Sequence, residues 1–387
     1  MTTARHDMFD EPYMPTNVFI ALFVTALAVI GVPAYVYYNG VTGYEVAAYI
    51  FYHMVPGYAI TAGYHRMFSH QAYKAHWSVR LAYAIFGAAA VQNSILAWSR
   101  HHRVHHKFVD DPVKDPYPIT RGFLHAHIGW VLKKQNHNPE MDHVNLRDLY
   151  KDPIVMWQHK YYWYIVFVMN VIIPVGLGLL VGRPLGMFMF ATVLRLFVVE
   201  NIMFSTNSLC HMWGKRPYTD ANSATDSHLM GLFLLGEGYH NFHHRFEYDY
   251  RNGHHWYDLD STKWLIAGLA KLGLVTDLRR ATTLQINNAV TSMAMKRADK
   301  KLSRYENWAT VQTQLEELRA KMLEKISHWE DMKEQMQAML AEKREETSAK
   351  LDDMKAKLED AQAQWMEARE QFRQQLRMAF SQVPAAA

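Results

Sequence analysis

Four stretches of this chain are apolar and long enough to cross a hydrocarbon layer roughly 30 Å thick. They run approximately from Val18 to Tyr38, Tyr44 to Tyr64, Tyr162 to Leu180 and Leu185 to Thr206. Only Asn39 to Gly43 separates the first two, and a turn near Gly182 to Pro184 separates the last two, so each pair reads as a helical hairpin. Lys and Arg collect on the cytoplasmic side of membrane proteins. The loop after the first span has none and the loop after the third has only Arg183, whereas Arg66 to Lys160 holds thirteen. Both termini and the long central segment are therefore expected in the cytoplasm. Within that segment Val79 to Ala97 is apolar too, but a crossing there would put the histidine clusters on opposite sides of the bilayer. We read it as a helix lying along the interface or packed beneath the spans.

Composition narrows the function classes. Of 387 residues, half are hydrophobic, 22 are His and 22 are Tyr, a profile that suits a membrane protein with a metal or proton-handling site. The net charge of +4 comes from basic residues scattered among acids, so nucleic acid is not expected as a partner. The single cysteine, Cys210, excludes an intrachain disulfide and a cysteine-built zinc or iron-sulfur site. Residues 1–16 carry acids and prolines, unlike a secretory signal. We read them as a cytoplasmic segment preceding a membrane domain at 17–278.

From Leu274 to Val383 there is no Gly or Pro, which reads as long helix. Residues 279–303 are taken as a connector, 304–380 as a coiled-coil-like helical extension and 381–387 as a tail. Trp308, Val311, Leu315, Leu318 and Met322 follow heptad spacing, as do Leu351, Met354, Leu358, Ala361, Trp365, Ala368 and Phe372. The two registers differ by one residue, which argues against one uninterrupted coiled coil and leaves a folded-back pair open. Packing or self-association is the expected role.

Four local patterns carry the chemistry: His65 and His70 in YHRMFSH, His102, His105 and His106 in HRVHHK, His211 in NSLCH, and His240, His243 and His244 in GEGYHNFHH. A lone His is more often a core or surface residue than a ligand, but two separate HxxHH clusters are not a chance pattern. On a helix, positions i and i+4 lie about 40° apart and i+3 falls about 60° to the other side. One HxxHH therefore sends its first and last imidazoles to one metal and its middle one to a second. His65 and His70, five apart, diverge by about 140° on a regular helix, so they are expected where the second span ends or bends. Imidazole suits iron, copper and zinc alike. Nine are too many for one catalytic zinc with three protein ligands. A pair of metals is the economical answer, and iron is the metal that pairs such a site with oxygen activation. The clusters follow the second and fourth spans, so hydrocarbon threaded between those helices would present its middle carbons to the metals.

The series GYHRMFSH, WSRHHRVHHKF, NSLCH and GEGYHNFHH, in that order around two hairpins, resembles the acyl-CoA delta-9 desaturase family, which includes stearoyl-CoA desaturases. The resemblance runs from about Tyr44 to Leu278 and takes in Arg121 to Phe123, Arg195, and KRPY at Lys215 to Tyr218. It implies an all-α membrane protein with four transmembrane helices in two hairpins, and a cytoplasmic helical cap holding a histidine-ligated di-iron site. All nine histidines would be ligands to two iron ions, and Asn207 would hold a metal-bound water. The implied reaction uses O2 and two electrons to remove two hydrogens between carbons 9 and 10 of a saturated long-chain acyl-CoA, leaving a cis double bond and water. Gln92 and Trp98 match residues lining the bend of an acyl tunnel, and Arg100 one that contacts the acyl carrier. His101 stands where an Asp is usual, and Met203 where a Thr lines the bend, which leaves CoA, acyl carrier protein or a complex lipid open as carrier, with CoA preferred.

In the resembled family, side chains on the second span close the tunnel. Gly57 and His53 lie about 12 and 18 Å along that helix from His65 and share a face, Gly57 leaving room for the tail and His53 forming a floor. Gly57, following Pro56, equally suits a kink or close helix packing. The chain has no haem module or dinucleotide fingerprint, so electrons are expected from a separate ferredoxin, flavoprotein or small cytochrome. In a bacterium the membrane would be the inner one. The rival readings are a related histidine-rich hydroxylase of fatty acids or alkanes, and a membrane anchor whose histidines hold structural zinc.

Overall fold

The computed structural model describes residues 11–134, 140–341 and 348–381. The chain is mostly helical and divides into two compact units, one comprising Met1–Arg216 and Ala221–Arg280, the other Pro217–Asp220 and Ala281–Ala387.

In the first unit three described helices are long and apolar enough to cross a membrane: α1 (Pro15–Asn39), α5 (Pro153–Leu180) and α6 (Pro184–His211). Each opens with Pro at its first turn, where the missing N–H costs nothing. The Asp152 carboxylate caps α5 by accepting from the Ile154 and Val155 amides. Between α1 and α5 lie α2 (43–69), α3 (Trp77–Ala89) and α4 (Ile95–Phe108). Helix α2 is α-helical over Gly43–Tyr58 and continues as a π-helix over Ala59–Ser69. It is as long as the three apolar helices but carries Glu45, His53, His65 and Arg66. Glu45 is buried at its start, where it accepts from Tyr35 Oη (2.6 Å), the Thr42 amide (2.6 Å) and Arg183 Nε (3.0 Å). Arg183 also donates to the Asn39 and Gly40 carbonyls, so one guanidinium ties the turn after α1 to the turn before α6.

Helix α3 (Trp77–Ala89) spans about 20 Å at 1.5 Å per residue, too short to cross the hydrocarbon. It packs on α2 instead. A Cβ at Gly63 would meet the Tyr83 ring at 2.7 Å, and one at Gly87 would collide with the Tyr64 ring, so each helix offers a glycine to the other's tyrosine. Helix α4 (Ile95–Phe108) follows, capped by Ser94 Oγ. Ile60, Tyr64, Ala84, Ile95, Val155 and Ile266 form the core beneath it, and Gln158 inside that core donates to Tyr64 Oη (2.6 Å) while accepting from the Ile95 amide (3.1 Å). After α6 come α7 (His228–Phe233), α8 (His240–Arg245) and α9 (Ser261–Lys271). A two-residue strand, Lys74–Ala75, pairs antiparallel with Val275–Thr276 and returns the chain to α2.

The second unit is a set of three helices, α10 (Thr283–Leu302), α11 (Trp308–Ala341) and α12 (Ser348–Ser381). Arg319 reaches Thr291, Lys325 reaches Gln364 and Gln375 reaches Gln314, so consecutive helices run antiparallel. Trp308, Leu315 and Phe372 pack in one layer with Ala298 and Leu302 of α10; Met322, Ile326, Trp365 and Ala368 form the next. Most of the stretch expected as a connector at 279–303 is thus a 20-residue helix contributing to this core. Its apolar face is built from Ile286, Ala289 and Met293, too small and sparse to stand out as a repeat.

Candidate metal centre

The nine histidines of the four motifs gather in two groups. His65, His70, His102, His106 and His243 form one, and His105, His211, His240 and His244 the other; within each, one nitrogen per ring lies within 4.8 Å of all the rest. The division follows helix geometry. On α4 the first and last imidazoles of HxxHH go to the first group and the middle one, His105, to the second; on α8 the roles reverse, with His243 alone crossing over. His65 and His70 meet because the end of α2 is a π-helix, whose i to i+5 bonding stacks residues five apart. The His70 amide donates to the His65 carbonyl at 3.2 Å, and the two rings are 4.9 Å apart.

The ring nitrogens have distinct jobs. Away from each group's centre, His65 Nδ1 meets Glu237 (2.8 Å), His105 Nδ1 meets Asp115 (2.9 Å), His106 Nδ1 meets Glu247 (3.1 Å), and His211 Nδ1 meets Ser223 Oγ (2.7 Å), which itself donates to Asp110 (2.6 Å). A carboxylate partner fixes the proton on Nδ1 and leaves Nε2 as a lone pair. Those Nε2 atoms face inward and nearly touch: His65 to His243 and His243 to His106 at 2.9 Å, His70 to His102 at 2.7 Å, His211 to His240 at 3.1 Å and His240 to His244 at 3.0 Å. His105 Nε2 is buried without any partner. His243 has one Nε2 proton at most to share between His65 and His106, so inward lone pairs are left facing one another. A cation between them removes that repulsion. With metal–nitrogen bonds of about 2.1 Å, ligands at right angles sit about 3 Å apart, which is the spacing here. The residues fit two metal ions.

Electrostatics favour the neutral, ligating form of the rings. Burial and the neighbouring imidazoles hold His102, His240, His243 and His244 well below the usual histidine range, and burial brings His106 down to about 4. Burial pushes the Glu237 carboxyl up, but His65 and Arg66 outweigh it and leave it below the usual range. Arg66 makes paired bonds to Asp260 (3.0 Å each) and one to Glu237 (3.1 Å), anchoring the end of α2 to the segment that carries the last histidines.

One cavity of about 360 Å³ opens onto both groups, touching His65, His102, His105 and His240. Gln92, Trp98, Met203 and Asn207, singled out in the sequence, line it, together with Ile60, Val91, Phe204 and Glu200. Arg100 lines a separate cavity of about 300 Å³ and donates to Tyr150 Oη at 2.8 Å. Among the described residues, neither Gly57 nor His53 lines the larger cavity. A Cβ on Gly57 would stand 3.0 Å from Leu235 Cδ1, so this glycine accommodates close packing, while His53 lies half-buried with its ring 5.6 Å from that of Tyr49. The residues behind the histidines, Glu237, Glu247, Asp115, Ser223 and Asp110, were not singled out in the sequence. Glu237 lies inside the GEGYH motif, and Asp110 and Asp115 follow HHK within ten residues, which are the only signals they leave.

The model of a fatty acid desaturase family, described as "Fatty acid desaturase", matches residues 44–277. Acyl-CoA desaturase 1 of Saccharomyces cerevisiae is 37% identical over 66% of this chain and 50% of its own length. Stearoyl-CoA desaturase 5 of Bos taurus is 37% identical over 59% of this chain and 69% of its own length. An acyl-CoA Delta12-desaturase of Acheta domesticus is 37% identical over 60% of this chain and 66% of its own length. The chain spans about half the length of the yeast protein it matches.

Proposed function

Because this chain belongs to the fatty acid desaturase family, we propose that it desaturates a long-chain saturated acyl thioester, preferably an acyl-CoA, placing a cis double bond between carbons 9 and 10. Two C–H bonds are broken, O2 is reduced to two waters, and two electrons come from a separate ferredoxin, flavoprotein or small cytochrome. The observation that carries this reading is the meeting of two inward-facing imidazole groups at one cavity whose remaining wall is largely apolar. Two iron ions held by the five and the four histidines would supply the oxygen activation that an unactivated hydrocarbon requires.

The chain's own residues do the rest. Ile60, Val91, Trp98, Met203 and Phe204 give the acyl chain a surface it prefers to water and set its path past the imidazoles. Asn207, at the end of the α-helical part of α6, faces the same cavity and would hold a water beside the second group. Asp115, Glu237 and Glu247 keep the proton on Nδ1 of their histidines, so the inward nitrogens stay available as ligands. In this reading α2 is the fourth span. Its charged residues sit at its two ends, Glu45 at one and Arg66 at the other, and both are paired. The enzyme is then an integral membrane protein of two hairpins, with the metal groups and both termini on the cytoplasmic side, in the inner membrane of a bacterium. The helices after residue 282 would serve self-association or partner docking.

The test is product analysis. The full chain in lipid nanodiscs, supplied with stearoyl-CoA, O2 and a reduced ferredoxin, should yield cis-9-octadecenoyl-CoA. A hydroxystearoyl product would instead assign the chain to the related hydroxylases.

A further inference from the structure

Two segments of the first unit are built inside out. Between Trp256 and Trp264 the charged side chains Asp258, Asp260 and Lys263 are buried, while Trp256, Tyr257, Leu259 and Trp264 are exposed, Trp256 to 85%. Contact with water favours the reverse order, since charges lose hydration when buried and aromatic rings gain by it. The buried charges are satisfied from within. Asp260 takes the paired bonds of Arg66, Asp258 accepts from the His255 amide at 2.9 Å, and Lys263 Nζ donates to the Gly253 carbonyl at 2.7 Å and to the His255 carbonyl. Helix α7 shows the same outward apolar face and contains no Asp, Glu, Lys or Arg. Its Leu229, Leu232 and Phe233, at i, i+3 and i+4, are exposed together, and Gly231 turns towards the Tyr239 ring, which a Cβ there would meet at 2.6 Å.

The two segments converge on Tyr239 and Leu235. A Cβ on Gly253 would stand 3.1 Å from the same Tyr239 ring, and Tyr239 Oη accepts from the Leu259 amide at 2.8 Å. The Thr262 amide and hydroxyl both donate to the Leu235 carbonyl, at 3.3 and 2.7 Å, so α9 begins against the turn that follows α7.

Their place on α2 decides what this face meets. Leu235 packs beside Gly57, and Thr61 Oγ1 lies 2.8 Å from Thr262 Oγ1. At that level α2 changes character: Ile50 and Phe51 before it are exposed, whereas every residue from Ala59 to Ser69 is buried. The turn after α7 and the start of α9 therefore adjoin the point where the apolar outer surface of α2 ends, and the exposed Leu, Phe, Trp and Tyr side chains continue that surface sideways. Surfaces bathed in water seldom carry such a patch, while Trp and Tyr concentrate at the headgroup level of membranes.

We propose that α7 and the Trp256–Trp264 segment lie in the headgroup layer of the cytoplasmic leaflet, so that the partner of this face is the lipid surface itself. The inference rests on the reading of α2 as a membrane span and goes beyond it, because it makes part of the cap a lipid-binding element in its own right. The two segments flank α8 in sequence, so the membrane steadies the connections on both sides of the helix that carries His240, His243 and His244.

The experiment measures depth in the bilayer. Cys210 is the only cysteine and is buried, so an added cysteine is the thiol that a fluorophore reaches. Leu232→Cys, Tyr257→Cys and Trp264→Cys, each in the full chain and labelled with an environment-sensitive fluorophore, are placed in phosphatidylcholine nanodiscs. Ile50→Cys marks the span, and Arg279→Cys, exposed beside Ala72 beyond the end of α2, marks the aqueous face. Bound metal equal to that of the unaltered chain shows that each variant keeps its fold. Phosphatidylcholine carrying a nitroxide at the headgroup end of its acyl chain should remove most of the emission at 232, 257 and 264 and little at 279, whereas aqueous iodide should do the opposite. Iodide reaching the three labels as freely as it reaches position 279 would overturn the proposal. Labels shielded from both quenchers would also overturn it, and would assign the face to a second copy of the chain or to another protein. A label at position 50 open to iodide would instead refute α2 as a span, a failure of the underlying reading that this position reports separately.

Discussion

Glu237→Gln changes one atom and should disable one metal group. The carboxylate accepts on both sides: Oε1 from Arg66 Nη2 at 3.1 Å, Oε2 from His65 Nδ1 at 2.8 Å and from Asn252 Nδ2 at 2.7 Å. A glutamine has one acceptor oxygen and one NH2. Turned to keep His65 and Asn252, its NH2 points at the Arg66 guanidinium; turned the other way, it faces the Asn252 amide and forces His65 to accept at Nδ1. In the second case the His65 proton moves to Nε2, the atom that faces the group. Arg66 keeps its paired bonds to Asp260 in either case, so the fold survives. Each arrangement leaves a buried donor facing a donor, at about 1–3 kcal/mol. That corresponds to roughly 10- to 100-fold weaker metal binding, the usual scale for altering an outer partner of a ligating histidine. The assay is competition with a graded series of chelators on the purified chain. Glu247→Gln is the internal control, because the Glu247 side chain is 56% exposed and water can replace what it loses; its effect should stay within a fewfold. Equal affinities for the Glu237→Gln and unaltered chains would refute the reasoning.

Three further outcomes follow from the same geometry. His105→Ala removes an inward nitrogen that belongs to the second group alone, so elemental analysis should find about one metal equivalent lost while the five-histidine group keeps its ion. Gly57→Ala asks only the tip of Leu235 to move by a few tenths of an ångström, and the acyl chain-length profile of the product should not change; a shift to shorter chains would put this face of α2 on the substrate path after all. Leu315→Ala empties a fully buried site between α10, α11 and α12 and should destabilise the second unit by about 2–5 kcal/mol, read as faster hydrogen exchange in those helices with product formation retained.

The histidine spacings carried much of the site because threes and fours map directly onto a helix face, and His102, His105 and His106 divide as that geometry requires. His65 and His70 were harder. A separation of five is read as divergence on a regular helix, and only the π-helical end of α2 turns it into a stacked pair. Nothing in the local pattern of AITAGYHRMFS announces that change of pitch. The carboxylates behind the rings were hidden for another reason: Glu237 reaches His65 across 172 positions of chain, and pairing at that distance leaves no periodic trace. Gly57 shows the limit of reasoning along one helix. The helix is π-helical from Ala59, so the rise of a regular α-helix does not give its height above His65, and Leu235, which lies beside it, comes from a segment whose approach only the tertiary structure reveals. In the second unit the two long helices were legible from Trp308, Leu315, Trp365 and Phe372, whereas α10 packs through smaller and fewer apolar residues and read as a connector.

The account turns on two metal ions held by two sets of imidazoles. Elemental analysis of the full chain, purified from membranes without added metal or chelator, tests this most directly. Two irons per chain is the predicted result. One metal ion per chain, or zinc in place of iron, would contradict it.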